Sequence, residues 1–201
     1  FANVPTFADG SVRFTYVLNK PLPAGEFVTV TATDPDNNNS EFTHDADLDG
    51  LLDSWETNGG IDVNHDSKID EIIDVPLPGA SPLHKDLFVE VDAMSNRAPT
   101  QATLGRVVTA FADAPNIFNP DGIGGIHLVV DLDETNITIA DFPHDWTEFD
   151  VVKRDHFGTP QQQLEPDTLA AKRLAYRYCV FANTYDNGGS SGLAELGGND
   201  F

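Results

Sequence analysis

Two early stretches of the chain alternate apolar and polar residues with period two. In Ser11–Leu18, Val12, Phe14 and Tyr16 fall on one side and Arg13 and Thr15 on the other; Glu26–Thr33 reads as a second such run, and Ser40–Thr43 is short enough for a third. That period is the mark of a half-buried strand, so residues 1–43 are expected to be β. From residue 85 the pattern changes. Lys85–Asp92 is an apolar run suited to a buried strand. Leu104, Val107, Val108, Phe111 and Ala112 make one helical stripe in 100–114 that Pro115 stops, and Ile126–Leu132 is a second buried strand. A strand, a helix and a strand in that order predict a parallel βαβ unit. Further on, 147–156 and 166–173 are expected to be short helices, with Pro166 near the first turn of the second. Tyr176, Tyr178, Val180 and Ala182 alternate, which predicts a strand over 174–182.

Between the two patterned regions lies the stretch Asp45–Glu56, D-A-D-L-D-G-L-L-D-S-W-E. Its acids stand at positions one, three, five, nine and twelve with Gly50 at six, the spacing of the EF-hand calcium loop. A hard dication takes about six to eight oxygens. Asp45, Asp47 and Asp49 would each give one, Leu51 its carbonyl, Asp53 a direct or water-mediated contact, and Glu56 two. Without a cation, so many carboxylates in one short loop repel one another. The glycines of Thr57–Gly60 end any helix after the loop within about a turn, against a paired EF-hand.

A second loop begins 17 residues after the first, at Asp62. Asp62, Asn64, Asp66 and Asp70 repeat positions one, three, five and nine, and Lys68 stands at the carbonyl position. Ser67 replaces the glycine, and Ile73 stands where the bidentate Glu belongs; Glu71 or Asp74 is the candidate substitute. A weaker calcium site is expected here, with His65 solvated. Pro76–Pro82 then marks a boundary. The expected division is 1–43, a calcium-loop linker over 44–80, and an α/β domain over 81–201.

Composition narrows the partners. The net charge of −22 excludes nucleic acid as a partner and argues against anionic membrane surfaces. No apolar run reaches membrane-spanning length, so no membrane insertion is expected. From Asp34 to Asp74 thirteen acids face a single Lys68, an excess that bound calcium would neutralise. Cys179 is the only cysteine, which excludes a disulfide framework and a Cys-based zinc site. Acid-rich loops of this kind work at the millimolar calcium found outside cells, so an extracellular or cell-surface bacterial location is expected. The chain opens on Phe1, as a segment of a longer polypeptide would.

Other constellations have a structural explanation at least as good as a catalytic one. His84 precedes a strand; His127 lies inside one and is expected to be hydrogen-bonded. Asp131, Asp133 and Glu134 end a strand, where α/β folds often place sites. Asp141, His144, Asp145 and Trp146 suggest a metal or a His–Asp pair, or a loop around a buried Trp. Glu90 and Asp92 share a strand face as paired carboxylates would. Cys179 is expected to be a small buried side chain.

Two resemblances add to this reading. Residues 1–43, with the turn "DPDNNNSEF", resemble the closing strands of an immunoglobulin-like repeat of large bacterial surface proteins, which implies a partial β-sandwich. "DADLDGLLDSWE" and "DVNHDSKID", followed by "HKDLFVEVDAM", "GIHLVVDLDE", "KRLAYRYCVFANTY" and "GLAELGGNDF", resemble one group of secreted bacterial zinc metallopeptidase-like proteins of metzincin type, with calcium loops before the peptidase domain. The resemblance covers residues 44–201. It implies the N-terminal part of a metzincin-like α/β domain, whose zinc helix, H-E-x-x-H, follows a phrase like "GNDF". This chain contains no H-E-x-x-H. No catalytic and no zinc residue is therefore assigned to it, and Zn2+ is expected only downstream. The expectation is a calcium-binding, catalytically incomplete segment of such a protein. The alternatives are a calcium-dependent structural or adhesive module of a cell-surface protein, or a dockerin-like module, which the short loop spacing and the missing second Glu disfavour.

Overall fold

The computed structural model describes residues 44–70, 72–138, 141–142, 146–185, 188, 192 and 194. They belong to the unit Thr43–Phe201. The strands expected within 1–43, Glu71, and His144 and Asp145 lie outside the described residues. The architecture is mixed α and β with small sheets. Linker elements come first: helix α1 (Asp53–Asn58), then β1 (Gly60–Ile61) paired antiparallel with β2 (Val75–Pro76). Gly59, at φ 77°, ends α1 in the left-handed conformation, so the helix stops after six residues.

The centre is a three-stranded parallel sheet of order β4-β3-β6. It comprises β3 (Asp86–Ala93), β4 (His127–Leu132) and β6 (Tyr176–Phe181), with Asp86 opposite His127 and Phe88 opposite Tyr176. The parallel pairing of β3 and β4 through α2 (Gln101–Ala112) is the βαβ unit that the apolar periodicity implied. Thr100 caps α2: its side chain accepts a hydrogen bond from the Thr103 N–H. The stripe on α2 is narrower than its sequence suggested. Leu104 is buried and Val108 and Phe111 pack on the sheet, but Val107 and Ala112 face solvent, because the helix covers only one face of a small sheet. Gly125 joins α2 to β4 at φ 91°, and a Cβ there would lie 2.0 Å from the Ala112 carbonyl oxygen.

Side chains alternate across β3. Val89 and Val91 pack with Leu128 under α2. Phe88, Glu90 and Asp92 face the other way, towards the larger core of Tyr176, Tyr178, Phe149, Phe157 and the linker residues Leu51, Ile61, Val75 and Leu77. Helices α3 (Thr147–His156) and α4 (Pro166–Ala175) supply that side, and a short pair, β5 (Asp141–Phe142) with β7 (Thr184–Tyr185), completes the described elements. The linker and the sheet thus share one core: four linker side chains are buried in it, and the Tyr176 hydroxyl donates to the Pro76 carbonyl at 3.0 Å.

Candidate cation site

The first acidic loop is organised by hydrogen bonds from its own backbone. The Asp49 N–H donates to Asp45 Oδ1 (3.3 Å) and Asp47 Oδ1 (3.2 Å), Gly50 N–H to Asp45 Oδ2 (3.0 Å), and Leu51 N–H to Asp49 Oδ1 (2.7 Å). Short acidic side chains accept from N–H groups two to five residues on, so the acids at one, three and five bend the loop around themselves. Gly50 sits at φ 97°, where a side chain would be strained. Asp45, Asp47 and Asp49 each bring a carboxylate oxygen within 4.8 Å of the others. Leu51 is buried in the core and holds the seventh position in place.

Glu56 enters from α1. Its ligand atom forms a second group with Asp49 and Asp86, again within 4.8 Å. Asp86, the first residue of β3, was not among the candidates from sequence, since no periodicity ties it to a loop 37 residues earlier. Its N–H donates to Asp49 Oδ2 at 2.7 Å; its own Oδ2 accepts from Ser81 N–H at 2.8 Å, and Oδ1 hydrogen-bonds His127 Nδ1. Asp53 is placed differently. Oδ1 accepts from Ala46 N–H at 2.8 Å and Oδ2 pairs with His44, so the side chain closes the loop instead of joining either acidic group.

The electrostatics of this centre are those of carboxylates removed from water. Glu56 is 4% exposed and Asp47 3%. Both Glu56 oxygens and Asp47 Oδ2 are buried and have no hydrogen-bond partner among the described residues. Burial, reinforced by Asp49, Asp47 and Asp86, pushes the Glu56 carboxyl up to about 8. Burial and then Asp49 push Asp47 up to about 6, and burial raises Asp49 as well. Buried polar atoms are otherwise almost always paired, and a buried anion needs a cation or a proton. Each of the two acidic groups, which share Asp49, could hold a metal ion.

The second loop repeats the backbone of the first with different contents. Asp66 N–H donates to Asp62 Oδ1 (3.2 Å) and Asn64 Oδ1 (2.9 Å), Ser67 N–H to Asp62 Oδ2 (2.8 Å), and Lys68 N–H to Asp66 Oδ1 (2.9 Å). Position four is left-handed in both loops (Leu48 φ 65°, His65 φ 59°), and so is position six, although Ser67 (φ 66°) has replaced glycine there. The far end differs. Asp70 Oδ1 accepts from Ile72 and Ile73 N–H, while the fully buried Asp74 accepts from Val63 N–H (2.8 Å) and Asp70 N–H (3.1 Å). Asp74 thus does for the second loop what Asp53 does for the first, receiving the N–H of position two. Among the described residues, Asp62, Asp66 and Asp70 form no three-acid group like those of the first loop, position three being Asn64, and Ile73 at position twelve is 38% exposed.

A third acidic group, Glu90, Asp92 and Asp133, lies where β3 and β4 end. Here Glu90 and Asp92 have built-in partners, while Asp133 Oδ2 is buried without a hydrogen-bond partner among the described residues. The buried Lys172 ammonium pairs with Glu90 and sits over the rings of Phe157 and Tyr176, at 5.3 and 5.1 Å from their centroids. Gly158 N–H donates to Glu90 at 2.8 Å. Asp92 accepts from the Tyr178 hydroxyl at 2.8 Å and from Glu134 N–H at 2.9 Å. Burial still raises Glu90, to about 7, and raises Asp92 and Asp133. Lys172 is the resident cation, and the group reads as core.

Four of the described histidines are likewise paired, His44 with Asp53 and His127 with Asp86 among them. His84 hydrogen-bonds Asp121 at 2.9 Å, and His156 pairs with Glu134; His65 is exposed. Cys179 is half-buried, and burial pushes its thiol up to about 12, away from nucleophile chemistry. No described helix is long and apolar enough to cross a membrane. Comparison with family models, with curated proteins and with solved structures finds no match.

Proposed function

We propose that the chain is a calcium-binding segment in which Asp45, Asp47, Asp49, the Leu51 carbonyl and Glu56 hold one calcium ion and so fasten the linker 44–80 to the α/β domain 81–201. One observation carries the reading: Glu56 buries both carboxylate oxygens without a partner, beside Asp49, at the position where a calcium loop takes its bidentate ligand. All-oxygen donors and the absence of Cys or His from this centre favour a hard dication over zinc. The second loop, Asp62, Asn64, Asp66, Lys68 and Asp70, is a weaker site, because it has the turn framework but lacks buried oxygens that need a cation. Calcium titration of the chain, with magnesium as the competing ion, tests this reading.

The wider setting rests on the resemblance of residues 44–201. We infer a secreted bacterial parent with a metzincin-type zinc peptidase domain, preceded by the closing strands of an immunoglobulin-like repeat in 1–43. On that reading the present chain hydrolyses no peptide by itself. The reading frame beyond Phe201 decides it: H-E-x-x-H supports the peptidase, and a further β-repeat in its place supports an adhesive surface protein instead.

A further inference from the structure

We propose that Asp86 is a ligand of the same cation, so that the ion is shared between the linker loop and the first residue of the central strand. This rests on the reading that the first loop binds a cation, and it adds a donor from outside that loop.

An ion of this class takes about six to eight oxygens at 2.3–2.6 Å. Asp53, at position nine, closes the loop through Ala46 N–H and His44 and stands in neither acidic group, so the loop's converging acids are Asp45, Asp47, Asp49 and Glu56. Asp86 joins two of them from outside the loop. Its carboxylate oxygen lies within 4.8 Å of ligand atoms of both Asp49 and Glu56, about twice a calcium–oxygen bond, so one ion reaches all three. Glu56, 4% exposed and unpartnered at both oxygens, is aimed into that space and independently calls for a cation there. Asp86 is itself 5% exposed and is held in place by Ser81 N–H and His127, so its carboxylate is oriented before any ion arrives. The Asp86 N–H on Asp49 Oδ2 fixes the distance between loop and strand.

The test titrates calcium into the full chain and into Asp86→Asn, with Asp131→Asn, an exposed acid of β4, as control. The inference expects Asp86→Asn to weaken calcium binding at least tenfold and Asp131→Asn to leave it within twofold of the wild type. Terbium placed in the site reports bound water through its luminescence lifetime, and Asp86→Asn should admit one more water than the wild type. This second readout is taken at saturating terbium, where the variant is held folded by the ion. An unchanged affinity together with an unchanged water count overturns the role of Asp86 while leaving the calcium reading intact. A wild-type chain that binds no calcium overturns both.

Discussion

The Asp86 N–H donates to Asp49 Oδ2 at 2.7 Å, and this one bond joins an acidic linker loop to the start of the central strand of the sheet. Around it the chain gathers Asp47 and Glu56, two carboxylates buried from water, with three oxygens between them that no donor among the described residues satisfies. Such an arrangement is stable only with protons or a cation added.

Glu56→Gln should weaken calcium binding more than Asp53→Asn. Glu56 offers two unpartnered oxygens, whereas Asp53 only closes the loop through Ala46 and His44. Residues that orient metal ligands typically contribute about 10–100-fold in affinity, so Asp53→Asn should fall within that range and Glu56→Gln beyond it. Calorimetric titration of both variants checks the ranking; the reverse order would mean that the loop has been assigned wrongly.

Removing calcium should lower the melting temperature and expose the linker to proteases. At calcium a hundredfold above Kd the ion contributes about 2.7 kcal/mol. For a chain of this size each kcal/mol is worth roughly 2–4 °C, so chelation should lower the midpoint by upwards of about 5 °C. New cleavage should fall within residues 44–82. A melt that is the same with and without chelator contradicts the stapling role.

Calcium affinity should rise with pH. Burial lifts the folded Glu56 carboxyl from 4.5 to about 8, and Asp47 from 3.8 to about 6. Both folded values lie above the unfolded ones, so the cation-free folded chain holds extra protons and its stability falls as pH rises through that window. Calcium has to displace those protons, so its affinity climbs over the same range, by up to about tenfold per pH unit for each proton released. Titrations between pH 5.5 and 8.5 measure the slope, and a flat profile would show that these carboxyls do not contact the ion.

Much of this was legible in the sequence, for identifiable reasons. The run at Asp86–Ala93, the stripe from Leu104 to Phe111 and the run at His127–Leu132 are local patterns, and local patterns announce strands and helices. The acids at 45, 47 and 49 could be read because a loop that folds on its own side chains needs a fixed spacing. Asp86 could not be read, because nothing nearby in the chain marks it; only the folding of the linker against β3 brings it to Asp49. That Asp53 also closes the loop, through His44 and Ala46 N–H, depends on a backbone path that spacing does not encode. The partners of Glu90 were equally hidden, since Lys172 arrives from a helix far along the chain.

Lys172→Met should be among the most damaging substitutions in the sheet domain. It leaves Glu90, fully buried and already pushed up to about 7, without its counter-charge. Breaking one side of a buried pair typically costs about 3–5 kcal/mol. Adding Glu90→Gln should restore part of that loss, because the amide oxygen can still accept from Gly158 N–H. Urea unfolding of the single and double variants gives the comparison. A single variant as stable as the wild type would show that Lys172 does not neutralise this group.

The most direct measurement is calorimetric titration of calcium into the metal-free chain at neutral pH. The account predicts a saturable heat with one tight site, a second weaker one if the loop from Asp62 also fills, and loss of the tight site in Glu56→Gln. No heat above dilution at millimolar calcium, or a tight site that survives Glu56→Gln unchanged, would contradict it.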